Sequence, residues 1–487
     1  MKLEILNEPE LEFGGGTRHI DIRFGLMYAG PLDVQNPRLR TISVGVVGTT
    51  TTVEGLTGWL ERCRGEIPAR ESPYPNLFPH FPGFGPDVAF RSTLLLESRA
   101  QRTLAPRDLV RVTKAPRSNE MVEAAVEIFL DELRYVAEKL RPDVLICAPP
   151  FELWEAVKGD RTSGEDDDSD RGTSPNGIAA GWQYDFHDLL KARAMALHIP
   201  LQLVWPHTYD STKRRRQRRR RDRARGQQDE ATRAWNLHTA LYYKAGGLPW
   251  RLVRDATQLT ACCVGVSFYN SLEGDRLLTS MAQVFNERGD GVVVRGGQAS
   301  LSKDDRQPHL DSDGAAALLT SALSTYRREH KTLPARIVIH KTSRYNQAEQ
   351  SGFRDSAERA GIEEVDFLSL DDSFIRLFRE GTHPPLRGTL LSLDDVTHVL
   401  YTKASVDFFG VYPGLYVPVP LLLRCDDTEQ TPRFLASEVL ALTKMNWNST
   451  QFDGRDPITT RAARQVGAIL RYIENADLLE PGYGFYI

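Results

Sequence analysis

The stretch DFHDLLKARAMALHIPLQLVWP, Asp185–Pro206, reads as a helix followed closely by a buried strand. What precedes it has the same grammar. RTISVGVVGTT, Arg40–Thr50, is an apolar, β-branched strand. A long amphipathic helix, Asn119–Leu140, leads into the strand DVLICAPP, Asp143–Pro150. Strands alternating with helices predict an α/β unit with a parallel sheet. Downstream, the helix ATRAWNLHTALYYKAGG stops at Gly246-Gly247 with Pro249 just beyond. This unit covers residues 37–249, after an extended, turn-rich lead-in over 1–36. From residue 250 a second α/β unit follows, to 487. LTACCVGVSFYNS, GVVVRGG, ARIVIHKTS and HVLYTKAS predict strands of one mixed sheet, with helices at 315–330, 352–361, 434–444 and 459–474.

A chain of 487 residues is long enough for two cores, and 41% hydrophobic with 26% charged residues is an ordinary globular balance. The five cysteines form no C-x-x-C pair, and an odd count does not suit a disulfide framework. The start lacks the order of a signal peptide, and no apolar run reaches the roughly 18 residues of a membrane span. The chain is therefore expected in the cytoplasm. Two polar loops interrupt the first unit. One is acidic and Gly/Ser-rich, at about 158–176. The other, at about 212–228, carries ten arginines or lysines between Lys213 and Arg225. With a net charge of −4 overall, that positive field is local. A run of cations without apolar anchors cannot order itself and is expected to attract nucleic-acid backbone from a mobile loop.

The better-defined cationic group sits on regular elements. His187 and Lys191, four apart, share a helical face; Gln202 lies eleven residues further on, in the strand; Lys244 ends the later helix. Brought together they would form a phosphate pocket. Singly, Lys191 reads as a solvated helix lysine and Lys244 as a partner of its helix's negative end. Other site-like signals are weak. DSDG, Asp311–Gly314, lacks the liganding Glu of a calcium loop and reads as a turn, and the histidines form no zinc pattern. The last residues, PGYGFYI, are aromatic and apolar and are expected to be buried.

FHDLLKARAM, IPLQLV and ALYYKAGGLPW together resemble the MID domain of prokaryotic Argonaute proteins, a Rossmann-like parallel α/β fold. VGVSFY, RIVIHKTSRYN, THVLYTKASVDFFGVYPGLYVPVPLLLRC and LTKMNWNSTQFDGRDPITTRAARQVG resemble a PIWI domain, an RNase H-like fold. The resemblance implies that His187, Lys191, Gln202 and Lys244 hold a guide's 5′-phosphate. It further implies that the Ile487 terminal carboxylate, with Gln202, holds a Mg²⁺ bridging to that phosphate. Lys213, Arg214, Arg215, Lys341, Lys403 and Lys444 would lie along nucleic-acid backbone. The positions of the slicing carboxylates correspond to Ser267, Lys341 and about Arg464. A hydroxyl and two cations cannot gather two divalent metals, so slicing is expected to be lost.

With the phosphate pocket beginning at residue 187, there is no room for the N-terminal and PAZ domains of long Argonautes. The chain is similar to short prokaryotic Argonautes, made of MID and PIWI alone. Such proteins work with an APAZ-domain effector subunit: a sirtuin-like or TIR NAD hydrolase, or a nuclease. The implied role is to anchor a guide RNA, sense a single-stranded DNA target by pairing, and activate that partner in defence against plasmids or phage. Two rivals remain open: a guide-directed nuclease with rearranged metal ligands, and an arginine-rich nucleic-acid binder that uses no guide.

Overall fold

A computed structural model describes residues 1–116, 118–157, 184–210, 228–253, 259–284, 291–381, 384–414, 416–451, 454–473, 479–480 and 482–487. The acidic loop, and the arginine run with Lys213, Arg214 and Arg215, lie outside the described residues. The chain opens with strand β1 (Lys2–Ile5), the short pair β2 (Leu11–Glu12) and β3 (Arg18–His19), and helix α1 (Ile22–Ala29). The lead-in was expected to be extended; the helix forms because Asp21 caps it. The Asp21 carboxylate accepts the N–H groups of Arg23 and Phe24 and pairs with the buried Arg23 guanidinium at 2.8 Å.

The first lobe runs through β4 (Thr41–Gly48), α2 (Thr50–Arg62), β5 (Thr93–Leu95), β6 (Gln101–Thr103), α3 (Pro106–Thr113), α4 (Asn119–Leu140), β7 (Val144–Ala148), α5 (Phe151–Val157), α6 (Phe186–Ala194), β8 (Leu201–Leu203), α7 (Pro206–Tyr209) and α8 (Glu230–Lys244). Its sheet has the order β5-β4-β7-β8, with β6 also beside β4, and every pairing is parallel. All five residues of β7 are buried. A parallel strand covered on both faces requires this. Leu145 and Cys147 face Phe129 and Leu133 of α4 and Leu189 of α6; Val144 and Ile146 join the core that holds Leu56 of α2 and Trp235 of α8.

The second lobe contains β9 (Arg251–Leu252), β10 (Ala261–Asn270), β11 (Leu277–Val284), β12 (Gly291–Leu301), β13 (Pro308–His309), α9 (Ser312–His330), β14 (Arg336–Lys341), α10 (Gln347–Arg359), β15 (Glu364–Asp372), β16 (Thr389–Ser392), β17 (Thr397–Leu400), β18 (Leu421–Asp427), α11 (Pro432–Leu442) and α12 (Ile458–Leu470). Ten strands form one mixed sheet, β1-β16-β17-β18-β15-β14-β10-β11-β12-β13. Its centre, β10, β14 and β15, is parallel. Helices α9 and α10 cover one face. On the other, α11 covers the β15–β18 side and α12 the β10–β11 side. Helix α12 presses so closely that a Cβ on Gly265 would stand 2.0 Å from the Thr459 carbonyl oxygen, which only glycine permits. The expected α/β architecture with a parallel and a mixed sheet is the one observed. The lead-in joins both lobes: β1 lies on the β16 edge and β2 pairs β9 in the second, while the Tyr242 hydroxyl and the Leu248 N–H of the first donate to Asp33.

The lobes share a core. Trp250 Nε1 donates to the Lys444 carbonyl at 3.1 Å, Trp447 Nε1 to the Trp250 carbonyl at 3.3 Å, and the Tyr243 and Trp447 rings stack 4.8 Å apart. Among the described residues no helix is long and apolar enough to cross a membrane. Two buried histidines set an acid limit on this core. Burial pushes His238 down to about 4 and His340, with Arg336 nearby, to about 3. In the unfolded chain both titrate near 6.5. Between pH 6.5 and about 4 the unfolded state therefore binds more protons. Stability present above pH 6.5 is lost as the pH falls, by about 1.4 kcal/mol per pH unit for each histidine. Urea midpoints are expected to drop between pH 7 and pH 4.5, and His340→Asn to flatten that slope; a slope unchanged by the substitution would contradict the assignment.

Candidate nucleic-acid interface

Helices α6 and α8 both pack against β8, and the chain's last turn, Tyr483–Phe485, packs on α8. Asp185 starts α6 by accepting the Asp188 N–H at 3.1 Å, which places Lys191 in the helix's last turn. Lys191 and Lys244 are each 4% exposed. The Lys191 ammonium donates to the Tyr486 carbonyl at 3.4 Å, and the Lys244 ammonium donates to the Ile487 main-chain oxygen. Two lysines 53 residues apart in sequence, each of them 4% exposed, thus bond to the adjacent residues Tyr486 and Ile487. Tyr486 and Ile487 are themselves buried, as the apolar ending predicts.

Gln202 occupies the middle of β8, opposite Ile146 of β7. Its Nε2 donates to the Leu203 carbonyl at 3.1 Å, and its Oε1 is buried without a hydrogen-bond partner. The orphaned Gln202 amide oxygen, on a strand flanked by both lysine-bearing helices, and the Ile487 main-chain oxygen held by Lys244 are each donors of the hard type that Mg²⁺ accepts. His187, about a third exposed, is turned toward its neighbour: Nδ1 lies 2.8 Å from Asp188 Oδ1. Asp185, His187 and Asp188 offer ligand atoms within 4.8 Å of one another. The helix cap and the His187–Asp188 contact account for that cluster without an ion. Asp188 was not legible as a site residue, because an acid in a first helical turn is ordinarily a dipole partner.

In the second lobe Ser267 lies on the α12 face of β10, 4% exposed. The parallel register pairs Val266 with Lys341, so the residue beside Ser267 is Thr342, whose Oγ1 is 3.4 Å from Ser267 Oγ. Lys341 points to the opposite face. It is fully buried, donating to Glu349 Oε2 at 2.6 Å and to the Arg344 carbonyl at 2.8 Å, between the rings of Phe268 and Tyr345. Lys341 was expected to replace a slicing carboxylate beside Ser267, but the structure turns it to the opposite face and brings Thr342 beside Ser267 instead, since neighbouring residues of a strand face opposite ways. The assignment of Lys341 to nucleic-acid backbone is also corrected, because its charge is spent inside the fold. Lys444 is corrected for the same reason. Its ammonium, wholly buried, holds Glu8 Oε1 at 2.9 Å and the Pro9 carbonyl, tying the lead-in to α11, and burial pushes it down to about 8. Lys403 is half-buried in the loop after β17.

Arg464 of α12 pairs with Asp456, and Arg455 with Asp372. Hydroxyls and guanidinium–carboxylate pairs thus occupy this end of the sheet. Among the described residues, Asp185, His187 and Asp188 are the only three metal-ligating side chains that bring one ligand atom each to within 4.8 Å of the other two. The DSDG stretch is a helix cap, Asp311 accepting the Gly314 N–H at 2.7 Å.

No protein-family profile matches the chain, and no curated protein sequence does. Solved structures do. An Argonaute of Clostridium butyricum, solved with a guide DNA and a 19-mer target DNA, is 14% identical with a TM-score of 0.64, over 98% of this chain and 53% of that one. The A. aeolicus Argonaute is 14% identical with a TM-score of 0.57, over 98% and 54%. Drosophila Piwi is 13% identical with a TM-score of 0.57, over 99% and 56%. The chain has an Argonaute-like fold and spans about half the length of these structures.

Proposed function

We propose that this chain binds a guide RNA by its 5′-phosphate, presents it for pairing with single-stranded DNA, and does not itself cut. The observation that carries this reading is the convergence of Lys191 and Lys244, both nearly inaccessible, at residues 486–487. Two desolvated ammonium groups from separate helices are costly to the fold and suited to an anion. A phosphate entering there would take charge-assisted bonds from both, with His187 at the rim held in orientation by Asp188. Gln202 Oε1 and the Ile487 oxygen would hold a Mg²⁺, which when bound supplies the positive charge that offsets repulsion between phosphate and carboxylate.

Base pairing would then carry the sequence information while the protein holds backbones. Ser267 and Thr342 offer hydroxyls where two-metal hydrolysis needs carboxylates, with Arg464 close by on α12. On this reading the chain is a short Argonaute subunit, and the output comes from a separate APAZ-domain effector, an NAD hydrolase or a nuclease, whose active state is favoured when the target pairs. The test uses guide RNAs that differ only at the 5′ end. A 5′-phosphorylated guide is expected to bind at least tenfold more tightly than its 5′-hydroxyl twin, and chelation of Mg²⁺ to narrow the gap. Equal affinities would remove the pocket assignment. Metal-dependent cleavage of a complementary strand by the purified chain would instead favour a nuclease.

A further inference from the structure

Lys244 is the last residue of α8, and the last turn of a helix frays unless something holds it. What holds this one comes from the lead-in. After Lys244 the backbone reverses over Gly246, whose φ is +87°, and over Gly247, whose N–H donates to the Tyr242 carbonyl at 3.0 Å. The Tyr242 ring folds back against this turn: a Cβ on Gly247 would stand 2.3 Å from the ring's Cε1. From there its hydroxyl donates to Asp33 Oδ1 at 2.7 Å, while the Leu248 N–H donates to Asp33 Oδ2 at 2.8 Å. The neighbouring Leu32 N–H donates to the Pro249 carbonyl at 3.0 Å, so the lead-in runs along the chain leaving the helix. One carboxylate, 209 residues from Tyr242 in sequence, thus grips residues 242 and 248, one on each side of Lys244.

Burial pushes the Asp33 carboxyl above the usual carboxylate range, against the pull of these two donors. A charged acceptor held away from water makes strong hydrogen bonds, and here each oxygen spends one on the same turn. We infer that Asp33 is a positioning residue for the phosphate site: by tying Tyr242 to Leu248 across the end of α8, it fixes the Lys244 ammonium and, through it, the Ile487 oxygen. Lys191 stands on α6, outside this clamp. A charged group binds an anion in one geometry, and a displacement of about 1 Å is enough to change affinity many-fold, so the support behind the ammonium matters as much as its charge. The inference rests on the proposed reading of Lys191 and Lys244 as phosphate ligands and adds to it the residue that makes one of them rigid.

The experiment measures, on the full chain, the ratio of affinities for a 5′-phosphorylated guide RNA and its 5′-hydroxyl twin. Asp33→Ala is expected to lower that ratio about tenfold, and Tyr242→Phe, which removes one of the two bonds and keeps the ring, about threefold. In the Lys244→Met background neither substitution is expected to lower it further, because the clamp acts through that lysine. Glu12→Ala loosens the lead-in elsewhere, by removing the partner of Arg251, and is expected to leave the ratio alone. A merely structural Asp33 would lower the melting temperature and leave the ratio unchanged in both clamp variants. That result overturns the inference, as does an equal fall from Glu12→Ala or full additivity with Lys244→Met. If Asp33→Ala does not fold, Tyr242→Phe and its double with Lys244→Met carry the same test. A wild-type ratio near one sinks the phosphate reading and the clamp with it, whereas a wild-type preference that survives both clamp substitutions removes the clamp alone.

Discussion

Lys244→Met is expected to weaken binding of a 5′-phosphorylated guide by about 100-fold while changing the affinity of the matching 5′-hydroxyl guide by less than about threefold. Two effects add. The substitution deletes a charge-assisted bond to phosphate, worth about 1.5–3 kcal/mol. It also strips the cation from the Ile487 oxygen, which then faces the phosphate across a dry pocket, where unscreened like charges are costly. Lys191 holds its carbonyl at a longer 3.4 Å, and Lys191→Met is expected to cost nearer tenfold. Methionine fills the space of the lysine stem, so the helices keep their packing. Because the readout is a ratio of two guides on one protein, a partly unfolded preparation lowers both numbers and leaves the ratio alone. Equal affinities for both guides in wild type and variants would mean that the two lysines only fasten the end of the chain.

Much of this architecture is legible in the sequence, and the parts that are not share a cause. The alternation of helix and strand from Arg40 to Lys244, and the β-branched runs at Ala261–Asn270 and Arg336–Lys341, announce two α/β lobes because parallel strands covered on both faces must be apolar almost throughout. The lysine pair is announced only as a possibility. Spacing places Lys191 on the face of His187, but nothing local says that residue 244 will approach it or that both will meet the last two residues. The errors at Lys341 and Lys444 show the converse. A lysine next to a loop reads as solvated unless its carboxylate is known, and those partners, Glu349 and Glu8, stand 8 and 436 residues away. Thr342 was displaced by a single residue, yet in a strand one residue is the difference between the two faces of the sheet. The helix α1 escaped notice because its start depends on the Asp21–Arg23 pair more than on any apolar period.

The second large effect concerns stability. Lys341→Met is expected to destabilise the fold by about 3 kcal/mol and to lower its melting temperature by about 3–6 °C, without a specific loss in nucleic-acid affinity. The lysine is fully buried, and burial pulls its ammonium below the usual lysine range, against the attraction of Glu349. Removing it leaves the Glu349 carboxylate, 0% exposed, without its main cation. The loss stays at the lower end for such a pair because Glu349 still accepts from the Leu310 N–H at 2.8 Å and the Asn346 N–H at 3.2 Å, and keeps His309 at 3.0 Å. Neutralising both partners, Lys341→Met with Glu349→Gln, is expected to recover at least half of the lost stability, since what is costly is the unpaired buried charge rather than the absence of the pair. Thr342→Ala, one residue away on the other face, is expected to cost less than about 1 kcal/mol. Melting curves for the three variants separate the faces: if Lys341→Met left the transition in place and instead weakened guide or target binding, the side chain would face the nucleic acid, and the register that makes Thr342 the neighbour of Ser267 would have to be redrawn.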